Sequence, residues 1–126
     1  MKRSSQKGLT PLELRIMQAI WHAGGGTVAD VQARLEPEMA YTTVQTMLNI
    51  LVRKGKLKRA LDGRAYVYTA KETEERAVRQ GVRDLVDRMF GGSSEELVMT
   101  LLKSREIDAE KLAELSRKFD REQGGE

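Results

Sequence analysis

The chain has 126 residues, 40% hydrophobic and 33% charged, with no cysteine and a formal net charge of +3. That is the composition of a soluble globular chain with room for one ordinary domain or two very small ones, and it excludes disulfides, thiolate metal sites and thiol redox sensing. Apolar runs fall far short of the ~20 residues that span a bilayer, and the start, basic at Lys2, Arg3 and Lys7, lacks the apolar core of a signal peptide, so a cytoplasmic protein with no membrane insertion is expected.

The first helix is announced by Thr10-Pro11-Leu12-Glu13: a capping threonine, a proline at the first helical position and a glutamate that completes a capping box. Leu12, Ile16, Met17 and Ile20 recur at helical spacing, Trp21 closes the helix, and Gly24-Gly25-Gly26 stops it. Thr27 begins a short second helix with Asp30 at its third position and Val28, Val31 and Leu35 inside, ended by Pro37. A third helix is predicted over 42–54. Val44, Met47, Leu48 and Leu51 form its buried stripe, Thr42, Thr46, Asn49 and Arg53 its far side, and Gly55 its left-handed cap.

The period then changes. Residues 57–61 and 65–69 read as short strands around Asp62-Gly63-Arg64, a strong hairpin signal because glycine takes positive φ without steric cost. From Glu72 the chain is helical again, with Val78, Val82, Leu85, Val86 and Met89 on one stripe and Gly91-Gly92 as the stop. Ser93 or Ser94 caps a further helix carrying Leu97, Val98, Leu101 and Leu102. Asp108 caps the last, with Leu112, Leu115 and Phe119 inside; the tail from Gln123 is expected to fray. The fold class expected is mainly α with a small β-hairpin: a winged helix-turn-helix over 1–70, whose residues 1–8 are a flexible basic arm, and a three-helix dimerisation region over 71–126.

Charge agrees with that division. Residues 1–70 hold 11 Lys and Arg against 5 Asp and Glu, a net of +6, whereas 71–126 hold 11 against 14, a net of −3. A basic part joined to a mildly acidic one suits a chain of which one half meets a polyanion. The third helix supplies the specific argument. A helix enters the major groove if its leading side chains are slim, and Thr42, Thr43, Gln45, Thr46 and Asn49 are slim and polar. Gln and Asn can pair with adenine, and threonine methyls can meet thymine methyls. Arg53, Lys54, Lys56, Lys58 and Arg59 follow as phosphate contacts. Tyr41 can donate its hydroxyl to a phosphate, and Arg64 stands at the hairpin tip as the wing contact. Taken singly each has a plainer explanation, as cap, turn or solvated charge; their order in one segment is what a winged helix explains.

Three short helices in 56 residues cannot bury all their apolar faces within one chain. Exchange with a second copy is the expected solution, through Val78, Val82, Leu85, Val86, Met89, Leu97, Leu101, Leu112, Leu115 and Phe119. Such a two-fold dimer places two reading helices about one DNA turn or a multiple apart, ~34 Å or more.

These residues resemble a known family. Leu9-Thr10-Pro11-Leu12-Glu13 with Met17 and Trp21 is similar to the opening helix of the penicillinase-repressor family, the BlaI/MecI/CopY type. The likeness is closest at Ala40-Tyr41-Thr42-Thr43-Val44-Gln45-Thr46-Met47-Leu48. It continues through Leu51-Val52-Arg53-Lys54-Gly55 and Asp62-Gly63-Arg64-Ala65-Tyr66-Val67-Tyr68. The resemblance spans roughly residues 9–122 and implies a homodimer that represses resistance or homeostasis genes by binding double-stranded dyad operators. By the same likeness Thr42, Thr43, Gln45 and Thr46 fall in the recognition helix and Arg64 in the wing. Two departures stand out. The copper-responsive branch senses metal through paired C-terminal cysteines, and this chain has none. The β-lactam branch is released when a protease cuts an Asn-Phe bond, implying a membrane sensor-protease as a partner; the matching bond here is Thr100-Leu101.

No Ser/His/Asp set, phosphate loop or metal-ligand spacing is present, so neither catalysis, cofactor nor metal is expected. His22 is the single histidine, and Trp21 and the six methionines read as core. The residues leave two other readings open: a winged-helix module working through an acidic protein partner, which the base-readable side chains of the third helix disfavour, and a small-molecule sensor, which requires a sizeable apolar cavity.

Overall fold

The computed structural model describes residues 8–124, so the expected basic arm lies, but for Gly8, outside the described residues. The elements run α1 (Pro11–Ala23), α2 (Val28–Ala33), α3 (Tyr41–Arg53), β1 (Leu57–Asp62), β2 (Ala65–Ala70), α4 (Glu74–Met89), α5 (Ser94–Lys103) and α6 (Ala109–Gly124). The chain divides into two compact units, Met1–Gly81 and Val82–Glu126, with the division inside α4.

Local chemistry explains where the helices of the first unit begin and end. Thr10 caps α1 and Thr27 caps α2, each in a complete capping box, with Glu13 and Asp30 reaching back to the cap's own N–H. Gly24 closes α1 at φ 82. At the end of α3 the N–H of Lys56 donates to the Leu51 carbonyl at 2.9 Å and that of Gly55 to the Val52 carbonyl at 3.0 Å, with Gly55 at φ 79. This is the Schellman arrangement that the glycine signals.

The core collects one face of each element. Ile16, Met17 and Ile20 of α1 meet Val28, Val31 and Leu35, the stripe of α3, and Leu57 and Tyr68 of the hairpin. Val44, Leu48 and Leu51 have no exposed surface at all. The hairpin is anchored to the helices by backbone as well as side chain. Gly26 and Tyr68 exchange two hydrogen bonds, Gly26 N–H to Tyr68 O at 3.0 Å and Tyr68 N–H to Gly26 O at 2.8 Å, so the loop after α1 forms a third, one-residue strand. Gly25 beside it sits at φ 118, where a Cβ would lie 2.8 Å from Thr69 Cγ2. The indole N–H of Trp21 donates to the Glu72 carbonyl at 3.0 Å, tying α1 to the segment that enters α4.

Several boundaries differ from the sequence reading. The antiparallel pairing runs from Leu57↔Ala70 to Asp62↔Ala65, so Asp62 belongs to the strand and the turn is Gly63-Arg64. Gly63, at φ 70, takes the first turn position, as primed two-residue turns allow. Helix α2 stops at Ala33, before Pro37, and α4 starts at Glu74, where the Thr73 hydroxyl accepts from Arg76 N–H. In the second unit Ser93 caps α5 and Asp108 accepts from Lys111 N–H at the start of α6. Helix α6 runs through Gly124, so Gln123 and Gly124 are helical, while the rest of the tail expected to fray, residues 125–126, lies outside the described residues.

Candidate nucleic-acid interface

Helix α3 turns its apolar stripe inward and leaves Thr42, Thr43, Gln45 and Thr46 exposed on its first turns. Tyr41, expected just ahead of the helix, is its first residue and is 47% exposed. Ala40 provides no side-chain cap, unlike the threonines of α1 and α2, so the first N–H groups of α3 receive no bond from a capping side chain. Such a helix start has the positive dipole end and spare donors that suit a phosphate.

The basic residues from the last position of α3 onward separate into two kinds. Arg53 and Lys58 are exposed, as is Arg64 at the turn of the hairpin. Lys54 points back into the fold, its Nζ 3.0 and 2.9 Å from the two carboxylate oxygens of Glu13. Lys56 faces Glu72 at 3.7 Å. Glu13 is 4% exposed. Burial works to raise its pKa, but the Thr10 N–H, the Lys54 ammonium and the Thr10 hydroxyl outweigh it and hold the carboxyl below the usual glutamate range.

Asn49 is half-buried, and its Oδ1 accepts from Arg59 Nη1 at 2.6 Å and from the Tyr68 hydroxyl at 3.0 Å. Arg59 in turn lies 4.3 Å over the centroid of the Tyr66 ring. This network between α3 and the hairpin was missed by sequence reasoning. Its signal was the period of two in β1, which places Arg59 on the same face as buried Leu57, toward the helix.

Of the residues expected to dimerise, Val78, Val82, Leu85, Met89, Leu115 and Phe119 are exposed, Leu97, Leu101 and Leu112 are half-buried, and Val86 is buried. Thr100 and Leu101 lie within α5. Among the described residues no group of acidic or histidine side chains is arranged to hold a metal, and no helix is long and apolar enough to cross a membrane.

Three helices, a hairpin and a one-residue third strand, with a polar helix face beside the hairpin, define a winged helix. Comparison with known proteins narrows the class. The family model described as penicillinase repressor matches residues 9–121, and the chain belongs to that family of DNA-binding transcriptional repressors, which are not enzymes. It is 27% identical over 117 residues to the penicillinase repressor of Bacillus licheniformis, covering 91% of this chain and 90% of the relative. It is 20% identical over 114 residues to that of Staphylococcus aureus, covering 89% and 90%. Among solved structures, the YusO protein of Bacillus subtilis superposes with a TM-score of 0.54 at 13% identity, over 98% of this chain and 80% of that one. The transcriptional regulator Tm0710 of Thermotoga maritima gives 0.51 at 21% identity, over 91% and 74%. These two likenesses concern the fold.

Proposed function

We propose that the protein is a cytoplasmic homodimeric repressor that binds dyad operators, with residues 1–70 as the DNA-binding part and 71–126 as the dimerisation region, and that the genes it controls serve β-lactam resistance. The observation that carries the DNA reading is the division of α3: Val44, Leu48 and Leu51 fully buried, Thr42, Thr43, Gln45 and Thr46 exposed. A slim polar ridge on a helix anchored by its opposite face is what major-groove reading demands. Tyr41, Arg53 and Arg64 add contacts to phosphate and to the flanking groove. Lys54 supports the surface from behind through Glu13. The name shared by the two relatives supports the choice of regulated genes.

The dimer reading rests on exposed apolar side chains of α4 and α6 such as Met89 and Phe119, 70% and 59% exposed in the single chain. A second copy is the covering that a two-fold operator would match. Release by a membrane sensor-protease cutting at Thr100-Leu101 completes the proposal. That bond is helical, where the Thr100 carbonyl accepts from Ser104 N–H at 2.9 Å, so cleavage requires α5 to unwind locally.

The decisive experiment selects duplexes from random-sequence DNA with the full chain and compares variants on the recovered site. Two-fold symmetric sites are expected. Thr46→Glu sets a carboxylate against phosphate and abolishes binding. Arg64→Ala weakens binding to all sequences by ~1–2 kcal/mol and makes its salt dependence shallower. Wild-type binding by both variants would refute the assignment.

A further inference from the structure

Asn49 has the side-chain chemistry of an adenine reader, but its amide oxygen is engaged on the protein side. It accepts from the Tyr68 hydroxyl, and Tyr68 is 2% exposed and pinned to Gly26 through its backbone. The same oxygen accepts from Arg59, whose guanidinium also lies over Tyr66. Arg59 nevertheless remains exposed, and among the described residues it makes no ion pair with a carboxylate. A full positive charge is thus held in a fixed orientation at the seam between the polar helix and the hairpin. A flexible arginine gives up rotamer freedom when it binds an anion; here folding has already imposed that order.

Resting on the DNA reading above, we propose that Arg59 is a preset clamp for the phosphate lying between the groove that α3 enters and the groove that the hairpin faces. Asn49 is its positioning residue and not a reader of bases. Neutral Asn49 suits this role: it orients the guanidinium without cancelling the charge that the phosphate meets, whereas a carboxylate there would do both. Tyr66 supplies the second wall, its ring lying under the guanidinium. The hairpin cation and the reading helix are thereby fixed relative to each other before DNA arrives.

A double-mutant cycle tests this on the full chain and a fluorescein-labelled duplex recovered by the selection described above. Arg59→Gln is expected to bind about tenfold more weakly and to make the salt slope shallower by about one unit, with base preference unchanged. Arg59→Lys restores the slope but only part of the affinity, because a point charge replaces the fork. Asn49→Leu weakens binding in the wild-type background and has no effect when Arg59 is already Gln, again without altering base preference. An unchanged salt slope for Arg59→Gln overturns the clamp, whatever Asn49→Leu does to folding. Additive losses, or a changed base preference in Asn49→Leu, overturn the positioning role. Thr46→Glu separates the levels. If it abolishes binding while Arg59→Gln binds normally, only this inference fails; if it binds normally, the reading of α3 fails with it.

Discussion

Glu13 and Lys54 join the start of α1 to the end of α3 across 41 residues of sequence, with both carboxylate oxygens within 3.0 Å of the ammonium. The glutamate does a second job at once, accepting the Thr10 N–H at 2.9 Å to complete the cap of α1. A lysine that sequence places in a basic run is therefore part of the scaffold.

Removing the cation leaves a buried carboxylate with only its cap. Lys54→Met is expected to destabilise the protein by roughly 2–3 kcal/mol, somewhat less than a fully buried pair because the lysine keeps some exposure. Glu13→Gln, which retains an acceptor for Thr10, costs less. Urea denaturation of the two variants checks the order, and equal stabilities would show that the pair contributes nothing.

The same glutamate ties stability to acidity. Its folded pKa lies below the ordinary value of 4.5, and that of Asp30, bonded to the Thr27 N–H, lies below 3.8. Groups depressed on folding stabilise fully above the unfolded pKa and lose that contribution as pH falls through the folded one. Stability is expected to decline from about pH 5 downward, with a shallower decline in Glu13→Gln. Urea midpoints measured between about pH 6 and pH 3 report the slope, and identical slopes for the two proteins would contradict the assignment.

The three consecutive glycines after α1 are not equivalent. Gly25 is at φ 118, where a Cβ would stand 2.8 Å from Thr69 Cγ2 and 3.0 Å from the Tyr68 carbonyl oxygen, while Gly24 is at φ 82 and a Cβ there would meet nothing within 4 Å. Gly25→Ala combines backbone strain with collision and is expected to cost roughly 3 kcal/mol, against about 1 kcal/mol for Gly24→Ala. Thermal melts of the two variants should fall in that order.

Much of this was legible in the sequence, and the reason is local chemistry. Thr10-Pro11-Leu12-Glu13, Thr27 with Asp30, Gly55 and Asp108 each announce a helix end through bonds made within a few residues. The stripe of α3 follows from spacing alone. What stayed hidden depends on elements far apart in the chain. Lys54 meets Glu13, and Asn49 meets Arg59 and Tyr68, only once the helices and hairpin have packed, and a side chain's type does not reveal which way it turns. The hairpin connection is one residue shorter than the Asp62-Gly63-Arg64 expected, because Asp62 pairs with Ala65 and joins the strand, a long-range pairing that residue type does not announce.

If a second copy covers the C-terminal helices, charge on that face should break the assembly. Leu115→Asp combined with Leu85→Asp, both exposed positions in the single chain, is expected to yield monomers whose operator binding is greatly weakened. Sedimentation velocity reads the mass directly. A wild-type protein sedimenting as a monomer at binding concentrations would remove the dimer from the proposal.

The bond from the Trp21 indole to the Glu72 carbonyl gives the molecule an optical reporter of its own. The chain holds a single tryptophan, so every photon excited selectively from an indole originates at that one joint. Detachment of the strand-to-helix segment from α1 would let solvent reach the ring and redden its emission, with no dye attached. A disturbance that leaves this joint intact would leave the spectrum unmoved, so fluorescence and circular dichroism followed together can tell whether the joint gives way before the helices melt.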